Sequence, residues 1–547
     1  MKTLRLSVWL WLLVSIMSPI CAQSASDSLI IRAMQDELMR TANDLVMPGN
    51  GLKPTYIRYL LFDKETTRIS SSLGTWHTPP RPALERVGVV QMLYADRWMR
   101  THLPGVRFDS ERYVPLSFPD TSYLAIRRIF WQLSDLEAKG QSGSYLAYLN
   151  QLKLSDAAHS AQTNALPSDI VRIPVPAKDY RRAEVIGFDP EYWKQLACRL
   201  SSLFKGDAVI DSSGVEVVCY RNRFYSVSSE GVVLQIPDNH ILLLVQARVQ
   251  LRNGEVDSLR LQFGAKQASL MPSEEELKLH ISKMIETLHA MAQAPVLDRS
   301  YRAPLLVEGE AVASHLWNYL LGAWRENVIK EPLLSTTSRP SEKAIGQRVC
   351  DASLRITGFG NLSDSVDYEG FQVSAQIPLV QNGVLQRRLT HQFAYSDTLI
   401  PAGVSYLSLC HTLKWPDNEI YFPQHTFALD RLEIKSEQGL SHSRMKKMLL
   451  KEAKQQGLPY GYILRQMGDQ PLLYRISTAT GREELVWNVR VDFPLFFDVI
   501  DKELHTTQLF NELDLPVRIT APRSLLIRSV SLKPGLNSGG ASSPQLF

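Results

Sequence analysis

Apolar residues recur along the chain at two spacings, and the changes between them mark a series of helices and strands. Near the amino terminus Ile30, Met34 and Leu38 follow helical spacing, which predicts a helix that begins at Ser26 or Asp27. Further elements are then expected as strands at 56–62, 68–75 and 84–94 and as helices at 122–139 and 144–152. This order predicts a helix-plus-antiparallel-sheet unit.

The same order of elements returns in a second region. A helix at 190–204 is followed by strands expected at 215–220, 224–227, 232–236, 241–251 and 256–263. Asn253-Gly254 predicts a two-residue hairpin, whose central residues both need positive φ. Ser273 and Glu276 have the spacing of a capping box and predict a helix that ends near Ala294. A second α+β unit is therefore expected, although no sequence repeat is evident.

From residue 303 onward the pattern is richer in strands. Asn382-Gly383 predicts another hairpin, and a helix at 443–456 is expected to stop at Gly457. Strands are expected at 462–467, 472–477, 485–491 and 525–532. The predicted divisions of the chain are 1–22 (leader), 23–160 (first α+β unit), 161–296 (second α+β unit), 297–534 (β-rich carboxyl domain) and 535–547 (a disordered Gly/Ser tail). The predicted fold class is α+β.

One segment has the spacing of a metallopeptidase helix without its metal ligands. It runs from residue 304 to 324, PLLVEGEAVASHLWNYLLGAW, and is predicted to be helical. In a helical H-E-x-x-x-H segment the imidazoles hold Zn²⁺ and the Glu acts as general base on metal-bound water. Glu310 stands at the Glu position, whereas Gly309 and Ser314 stand where the two His would be.

Two further residues of this segment are candidate binding groups. His315 lies one residue too late for the pattern. Glu308 precedes it by seven residues, or roughly 10 Å along a helix, which is too far for one ion to bridge. The simpler interpretation is an amphipathic helix that buries Val312, Leu316 and Leu320 and exposes its Glu and His residues.

Several segments resemble the TldD/PmbA family in the family's order. The run GQRVCDASLRITGFGNLSDSVDYEGFQVSAQIPLVQNGVLQRRLT (346–390) is similar to a G-Q-x-V segment that leads to D-x-E-G and then to a strand ending in N-G-V-L. TGREELV (480–486) and ITAPRSLLIRSVSL (519–532) continue the match, and residues 125–152 are similar to a helix of the amino-terminal half. The resemblance covers most of the chain and implies the family's α+β fold.

What the resemblance implies for activity depends on whether the zinc ligands of the active members are present. Active members are described as zinc peptidases with two His from the helix and a Cys near the carboxyl end, whereas no Cys follows Cys410 here. The chain thus resembles a member without a metal cofactor, which implies a non-catalytic subunit that binds peptides and forms a homodimer or a heterodimer with a metal-bearing paralogue. Glu310 then keeps the general-base position, with His315 and Glu308 as binding candidates. The alternatives are an active peptidase with rearranged ligands (Glu310, His315 and a distant residue) and an envelope scaffold.

Composition changes this picture little. Of the 547 residues, 44% are apolar and 21% charged, which is ordinary for a soluble globular protein. The net charge of +4 is too mild to indicate nucleic acid, and no basic run with interleaved aromatic residues occurs. We therefore expect no nucleic-acid partner.

The first residues, MKTLRLSVWLWLLVSIMSPICAQ, have the pattern of a signal peptide. Lys2 and Arg5 supply the positive region, residues 6–17 the apolar core, and a small-residue cleavage site precedes Gln23. An uncleaved anchor is the alternative, but the apolar run is short for a span of about 20 residues. Residues 1–22 therefore predict an exported protein, periplasmic or extracellular.

Export would leave four cysteines after cleavage: Cys198, Cys219, Cys350 and Cys410. In an oxidising compartment these allow three disulfide pairings, and sequence spacing does not choose among them. Isolated buried thiols are the alternative.

Overall fold

The structure is a computed structural model that describes most of the chain. The described residues are 27–49, 51–77, 82–94, 111–116, 122–158, 171–172, 174–182, 186–297, 299–324, 345–361, 364–389, 393–394, 401–415, 418–487, 489–492, 497–510 and 515–534. The predicted signal peptide and the predicted tail lie outside them.

The helices of the described part agree with the predicted ones in place, with two exceptions, one at 122–152 and one at 304–309. They are α1 (27–44), α2 (Tyr123–Ala158), α3 (Pro190–Ser201), α4 (Glu274–Gln293), α5 (Glu310–Trp324) and α6 (His442–Gln455), with short 3₁₀ turns at Ser202–Phe204 and Ala268–Leu270. The two helices expected at 122–139 and 144–152 are one helix, α2. Gly140 and Gly143 lie inside it, because a glycine weakens a helix by about 1 kcal/mol but does not forbid it.

The strands of the described part are numbered in chain order. They are β1 (Tyr56–Ser72), β2 (Thr75–Trp76), β3 (Pro82–Leu93), β4 (Glu111–Leu116), β5 (Val171–Arg172), β6 (Asp179–Arg181), β7 (Ile210–Ser228), β8 (Val233–Gln250), β9 (Val256–Ala265), β10 (Tyr301–Glu308), β11 (Leu354–Phe359), β12 (Ile377–Gln381), β13 (Val384–Leu385), β14 (Phe393–Ala394), β15 (Ser405–Trp415), β16 (Asn418–Phe427), β17 (Arg431–Ser436), β18 (Tyr460–Met467), β19 (Gln470–Ser477), β20 (Glu483–Val486), β21 (Val489–Asp492), β22 (Val499–Ile500), β23 (Leu504–Phe510), β24 (Pro516–Pro522) and β25 (Ser524–Pro534).

A long sheet joins the two predicted α+β units. Its order is β4-β3-β1-β7-β8-β6, with β2 beside β1 and β9 beside β8. The central pair, β1 with β7, is antiparallel from Arg58↔Ser228 to Ser71↔Val215. Strands from both units thus share one sheet. The division at residue 160 stays a prediction about the chain, but it does not separate two sheets.

The strands of this sheet are longer than the apolar pattern predicted. The strands expected at 56–62 and 68–75 are mostly one strand, β1, whose 17 residues extend about 56 Å at roughly 3.3 Å per residue. The chain turns only after it, at Leu73-Gly74, where φ is +48° and +84°. The polar residues between the two predicted strands pair in the sheet as well as apolar residues do.

The two faces of the long sheet have different neighbours. On one face Tyr59 stacks on Phe130 of α2 with ring centroids 4.5 Å apart, and Val217 joins a core with α3 and α4. On the other face Leu60 and Phe62 pack with residues of the carboxyl-terminal region, among them Tyr368. Helices therefore cover one face and the carboxyl-terminal region covers part of the other.

The carboxyl-terminal region is a sandwich of two sheets. A seven-stranded sheet has the order β20-β19-β18-β10-β25-β21, with β22 beside β25, and a six-stranded sheet has the order β13-β12-β11-β17-β24-β23. Helix α5 contacts β10 and β18 of the first sheet and β23 and β24 of the second. Leu316 and Trp317 of α5 are both buried for this reason. Together with the helix-covered long sheet, this makes the fold α+β.

The two predicted hairpins differ in their turns. Asn382 and Gly383 both have positive φ, +51° and +73°, as the two-residue turn requires. In the other hairpin Gly254 has φ +84°, whereas Asn253 is not among the described residues with positive φ. The expectation of two positive φ values is therefore wrong at Asn253-Gly254. Only the glycine has positive φ there, and the turn is longer than the predicted one.

Two sequence expectations about compartment can be compared with the described residues only in part. Among the described helices, none has the length and hydropathy of a membrane span. Cys198, Cys219 and Cys350 are thiols in the structure. Burial raises the pKa of Cys219 to about 12, so this thiol is unreactive.

Candidate functional site

The segment that was predicted to be one helix is a strand followed by a helix. Residues 301–308 form β10, Gly309 is the turn, and α5 begins at Glu310. β10 pairs with β18 in parallel and with β25 in antiparallel, and it is buried along most of its length. A short continuous apolar run does not distinguish a buried strand from a helix. The prediction of a helix from residue 304 is therefore wrong, and pairing on both sides is the physical reason.

Glu308 does not share a site with α5. It ends β10 on the face that also carries Leu306, which packs under α6, while Leu305 and Val307 face α5. Its carboxylate accepts a hydrogen bond from Arg465 Nε at 2.9 Å and lies 3.6 Å from His442 Nε2. Because Glu308 is on a strand, the spacing argument made for a helix does not apply to it. The sheet separates Glu308 from the α5 side.

The group around Glu308 is a structural polar cluster. His442 Nδ1 lies 3.6 Å from Asp501 Oδ2 and 3.2 Å from Ser524 Oγ, and that hydroxyl donates to Asp501 at 2.6 Å. Asp501 and Ser524 are fully buried, so a substrate has no access to this hydroxyl. The cluster fastens the start of α6 to the end of β10 and to β25.

Glu310 lies in the first turn of α5. Its side chain is half-buried, and no hydrogen bond or ion pair to its carboxyl is found among the described residues. Burial raises the pKa of Glu310 to about 8. Burial, with no cation beside it among the described residues, thus favours the protonated form of this carboxyl.

His315 lies on a different side of the same helix. Five residues correspond to about 500° of rotation, so His315 is about 140° from Glu310 around the axis. Its ring meets the ring of Phe497 edge to face, with centroids 5.4 Å apart. Burial lowers the pKa of His315 to about 4, so the imidazole is neutral. It is half-buried, and the expectation that the helix exposes it is wrong.

A histidine that sequence reasoning did not single out stands beside Gly309. His505 of β23 places Nε2 4.0 Å from the point where a β-carbon on residue 309 would stand. The pKa of His505 is lowered, first by partial desolvation of its ring and then by the positive charge of Arg523. Its distance along the chain left no local signal, since only the pairing of β23 with β24 and the packing of α5 bring the two residues together.

The backbone at Gly309 has a conformation that favours glycine. Its φ is +62°, and its N–H donates to the carbonyl oxygen of Arg523 at 2.9 Å. A residue with a side chain is strained in this left-handed conformation. The position that resembles the first histidine of the family's helix thus departs from the pattern in residue type, and its backbone favours glycine.

The described residues around Gly309 do not fit a zinc ion. A catalytic zinc needs three protein ligands and an open position. Gly309 and Ser314 offer no imidazole, His315 is on another side of α5, and no group of three or more His, Cys, Asp or Glu residues in the described part could hold a metal.

The segment that resembles the D-x-E-G motif lies where the carboxyl-terminal region packs against the long sheet. The carboxylate of Asp367 accepts backbone hydrogen bonds from Glu369, Phe371 and Ser405 at 2.9–3.0 Å. Burial and then the neighbouring Glu369 raise the pKa of Asp367. Gly370 adopts φ +92° beside Val175. In this chain the motif forms a buried turn at the joint.

Comparisons with known proteins bear on the fold. No protein-family model and no curated protein matches the sequence. A candidate modulator of a DNA gyrase from Thermotoga maritima is similar in structure, with a TM-score of 0.53 and 12% identity, over 87% of this chain and 96% of that one. A candidate modulator of DNA gyrase from Bacteroides thetaiotaomicron has a TM-score of 0.51 and 11% identity, over 93% and 98%.

A third solved structure, TldE from Thermococcus kodakarensis, has a TM-score of 0.49 and 12% identity, over 92% of this chain and 100% of that one. At such identities a structural likeness concerns the fold and leaves activity open. Over most of its length, the chain therefore has the α+β fold of the two candidate gyrase modulators.

Proposed function

We propose that this chain is a non-catalytic homologue of the TldD/PmbA-type metallopeptidases. It binds peptides, or it pairs with a catalytic subunit, and it does not cleave peptides itself. The resemblance of its motifs in order and the shared fold support the family. The family alone does not distinguish an active subunit from an inactive one. That distinction depends on the start of α5.

The observation that carries the proposal is the left-handed glycine at residue 309. A histidine at φ +62° would cost on the order of 1–2 kcal/mol of backbone strain, and Ser314 offers no imidazole at the second position. Glu310 remains, in a buried setting that raises the pKa of its carboxyl to about 8. A site of this kind retains shape and hydrogen-bonding groups but lacks the chemistry of a zinc peptidase.

The alternative is an active peptidase with rearranged ligands. It would combine Glu310 and His315 with a distant residue, for which the structure offers His505 beside Gly309. His315 argues against it, because its ring packs on Phe497 and points about 140° away from Glu310. The two hypotheses predict different amounts of zinc bound to the purified protein.

Metal analysis of the purified protein tests the proposal. We expect well under one equivalent of zinc and no cleavage of an unfolded protein such as casein. The Glu310→Gln variant should match wild type in both measurements. Stoichiometric zinc that disappears in His315→Ala or His505→Ala would establish the rearranged peptidase instead. A metal-bearing paralogue with an intact H-E-x-x-x-H helix, encoded next to this chain, is the matched positive control for zinc and cleavage.

The proposed place of action is outside the cytoplasm, periplasmic or extracellular. The charge and apolar pattern of residues 1–22 supports it. Amino-terminal sequencing of the mature protein from an exported fraction should return Gln23 or a residue close to it. Recovery of Met1 from a cytosolic fraction would contradict export without bearing on the peptide-binding proposal.

A further inference from the structure

The solvent face of α6 carries a row of positive side chains. Arg444, Lys447, Lys451 and Lys454 follow one another at spacings of three, four and three residues, and all of these side chains are exposed. On a helix they fall within an arc of about 80° and extend over about 15 Å. We call these residues the α6 cation row.

The direction of the cation row follows from the packing of α6. Met445 and Leu449 are fully buried in a core with Leu306 and Leu526 of the seven-stranded sheet, and Ala453 continues that buried face. The middle of the buried face is about 180° around the helix axis from the middle of the cation row. The apolar face of α6 is thus used inside the chain, and the cation row points directly away from it.

The acidic groups around α6 already face cations outside the row. Their ion pairs are Glu452 with Arg528 at 3.4 Å, Glu503 with Arg523 at 3.5 Å, and Glu483 with Arg465 at 2.9 Å and with Lys446. Among the described residues, no ion pair is found for any member of the cation row. The positive charges of the row are therefore not balanced within the described part of the chain.

An exposed helix elsewhere in the chain shows the usual arrangement. On α4, Lys278 lies 3.1 Å from Glu274 and 3.0 Å from Glu275, at spacings of four and three residues. Opposite charges at these spacings stabilise a helix, whereas like charges destabilise it. The α6 cation row places like charges at these same spacings, an arrangement that a bound anionic surface would turn into a favourable one.

The chemistry of the row favours a broad anionic surface over a nucleic acid. Lys447, Lys451 and Lys454 are point charges without the planar fork with which arginine recognises phosphates in a fixed geometry. The α6 sequence contains no aromatic residue on which a base could stack. The row also lies on the convex outside of a helix, so it can meet a flat array of mobile anions. The pattern of residues 1–22 agrees with such a surface, because a signal peptide and an uncleaved anchor both bring the chain to a membrane.

We propose that the α6 cation row binds the surface of a bilayer that contains anionic lipids. Lysine and arginine side chains close to such a surface are attracted to it, and the attraction weakens within a few ångströms as salt rises. A helix that inserts into a bilayer needs an exposed apolar face, and α6 uses its apolar face in the core. The contact is therefore with the headgroups alone. This surface is separate from the start of α5 and does not depend on peptide binding.

Cosedimentation of the purified protein with lipid vesicles tests the inference. Vesicles of phosphatidylcholine with about 30% phosphatidylglycerol should bind the protein at about 50 mM NaCl, and binding should fall more than tenfold at about 500 mM NaCl. Vesicles of phosphatidylcholine alone report any binding that does not depend on lipid charge. The double variant Lys447→Gln/Lys451→Gln should bind the anionic vesicles about 25-fold more weakly, or about fivefold for each cation removed.

A second double variant controls for the net charge of the protein. Lys205→Gln/Arg252→Gln removes two exposed cations, one after α3 and one in the turn between β8 and β9, and should bind like wild type. Coincident urea unfolding curves should show that both double variants are folded. Equal losses of binding in the two variants would overturn α6 as the site.

Two other outcomes would overturn the lipid surface itself. One is equal binding of wild type to anionic and to neutral vesicles. The other is binding to poly-glutamate without binding to anionic vesicles, which would assign the cation row to an acidic polypeptide. Zinc content and peptide cleavage, measured separately, test the proposed function and are not affected by either result.

Discussion

Arg58 of β1 donates a hydrogen bond from Nη2 to the carbonyl oxygen of Tyr368, at 2.6 Å, and so ties the long sheet to the turn that resembles the D-x-E-G motif. The same guanidinium donates from Nε to Ser226 Oγ at 2.9 Å. The Tyr368 ring packs against Phe224 and Tyr406, with centroids 4.8 and 4.7 Å away. A buried cation and an aromatic cluster thus hold the two halves of the chain together.

Replacing Arg58 should therefore weaken the whole fold. Arg58→Ala leaves the Tyr368 carbonyl and the Ser226 hydroxyl buried without this donor, and we expect a loss of about 2–3 kcal/mol in the free energy of unfolding. Arg68→Ala on the same strand is the matched control, because its ion pair with Glu216 is largely exposed and should contribute under about 1 kcal/mol. Urea denaturation measures both, and equal losses would contradict the role given to Arg58.

The glycine of the same motif should be equally sensitive. At Gly370, φ is +92° and a β-carbon would stand 2.6 Å from Val175 Cγ1, so Gly370→Ala combines backbone strain with a steric clash. We expect a loss of about 2–4 kcal/mol. Gly481→Ala carries the strain without the clash and should lose only about 1 kcal/mol. A thermal or urea unfolding series in which the two variants coincide would show that the close packing at Gly370 is not needed.

Glu310 should make stability depend on pH. Because its folded pKa, about 8, lies above its ordinary value of 4.5, the folded state retains a proton that the unfolded chain releases between these values. Stability should fall as pH rises from about 4.5 to 8. Glu310→Gln removes this contribution, so the variant should match wild type at pH 4.5 and exceed it by about 1–3 kcal/mol at pH 8.5, after allowance for partial exposure. If the free energies of unfolding of wild type and Glu310→Gln differed by the same amount at both pH values, Glu310 would not be protonated in the folded state.

The chain should form a dimer, either with itself or with a metal-bearing paralogue. The expectation follows from the proposed role of a ligand-free subunit, which acts by adding surface to a partner. Light scattering should give a mass near twice that of one chain, or that of a one-to-one complex after mixing. A monomer at micromolar concentration in both experiments would contradict the proposal that the chain pairs with a partner subunit.

Features that depend on residues close in the chain were predictable from sequence. Ser273 and Glu276 exchange both hydrogen bonds of the capping box at the start of α4, as their spacing indicated. Gly457, with φ +67°, follows the end of α6 as expected. Such signals survive in the sequence because all the atoms involved lie within one turn of the chain.

The candidate site was predictable only in part. The sequence by itself placed Gly309, Glu310 and Ser314 at the spacing of the proposed motif, with no imidazole at the two positions where a zinc helix would carry one. It also indicated an α+β chain of repeated helices and strands. These conclusions needed only residue identities, local spacing and the order of motifs.

Tertiary structure alone decided how that site is built. Residues 304–308 are a strand because β18 and β25 pair with both of their edges, and Glu308 consequently faces α6. His505 stands beside Gly309 because β23 packs against α5. Pairing and packing between residues far apart in the chain leave no periodic pattern in either segment, so these placements depend on the folded arrangement as a whole.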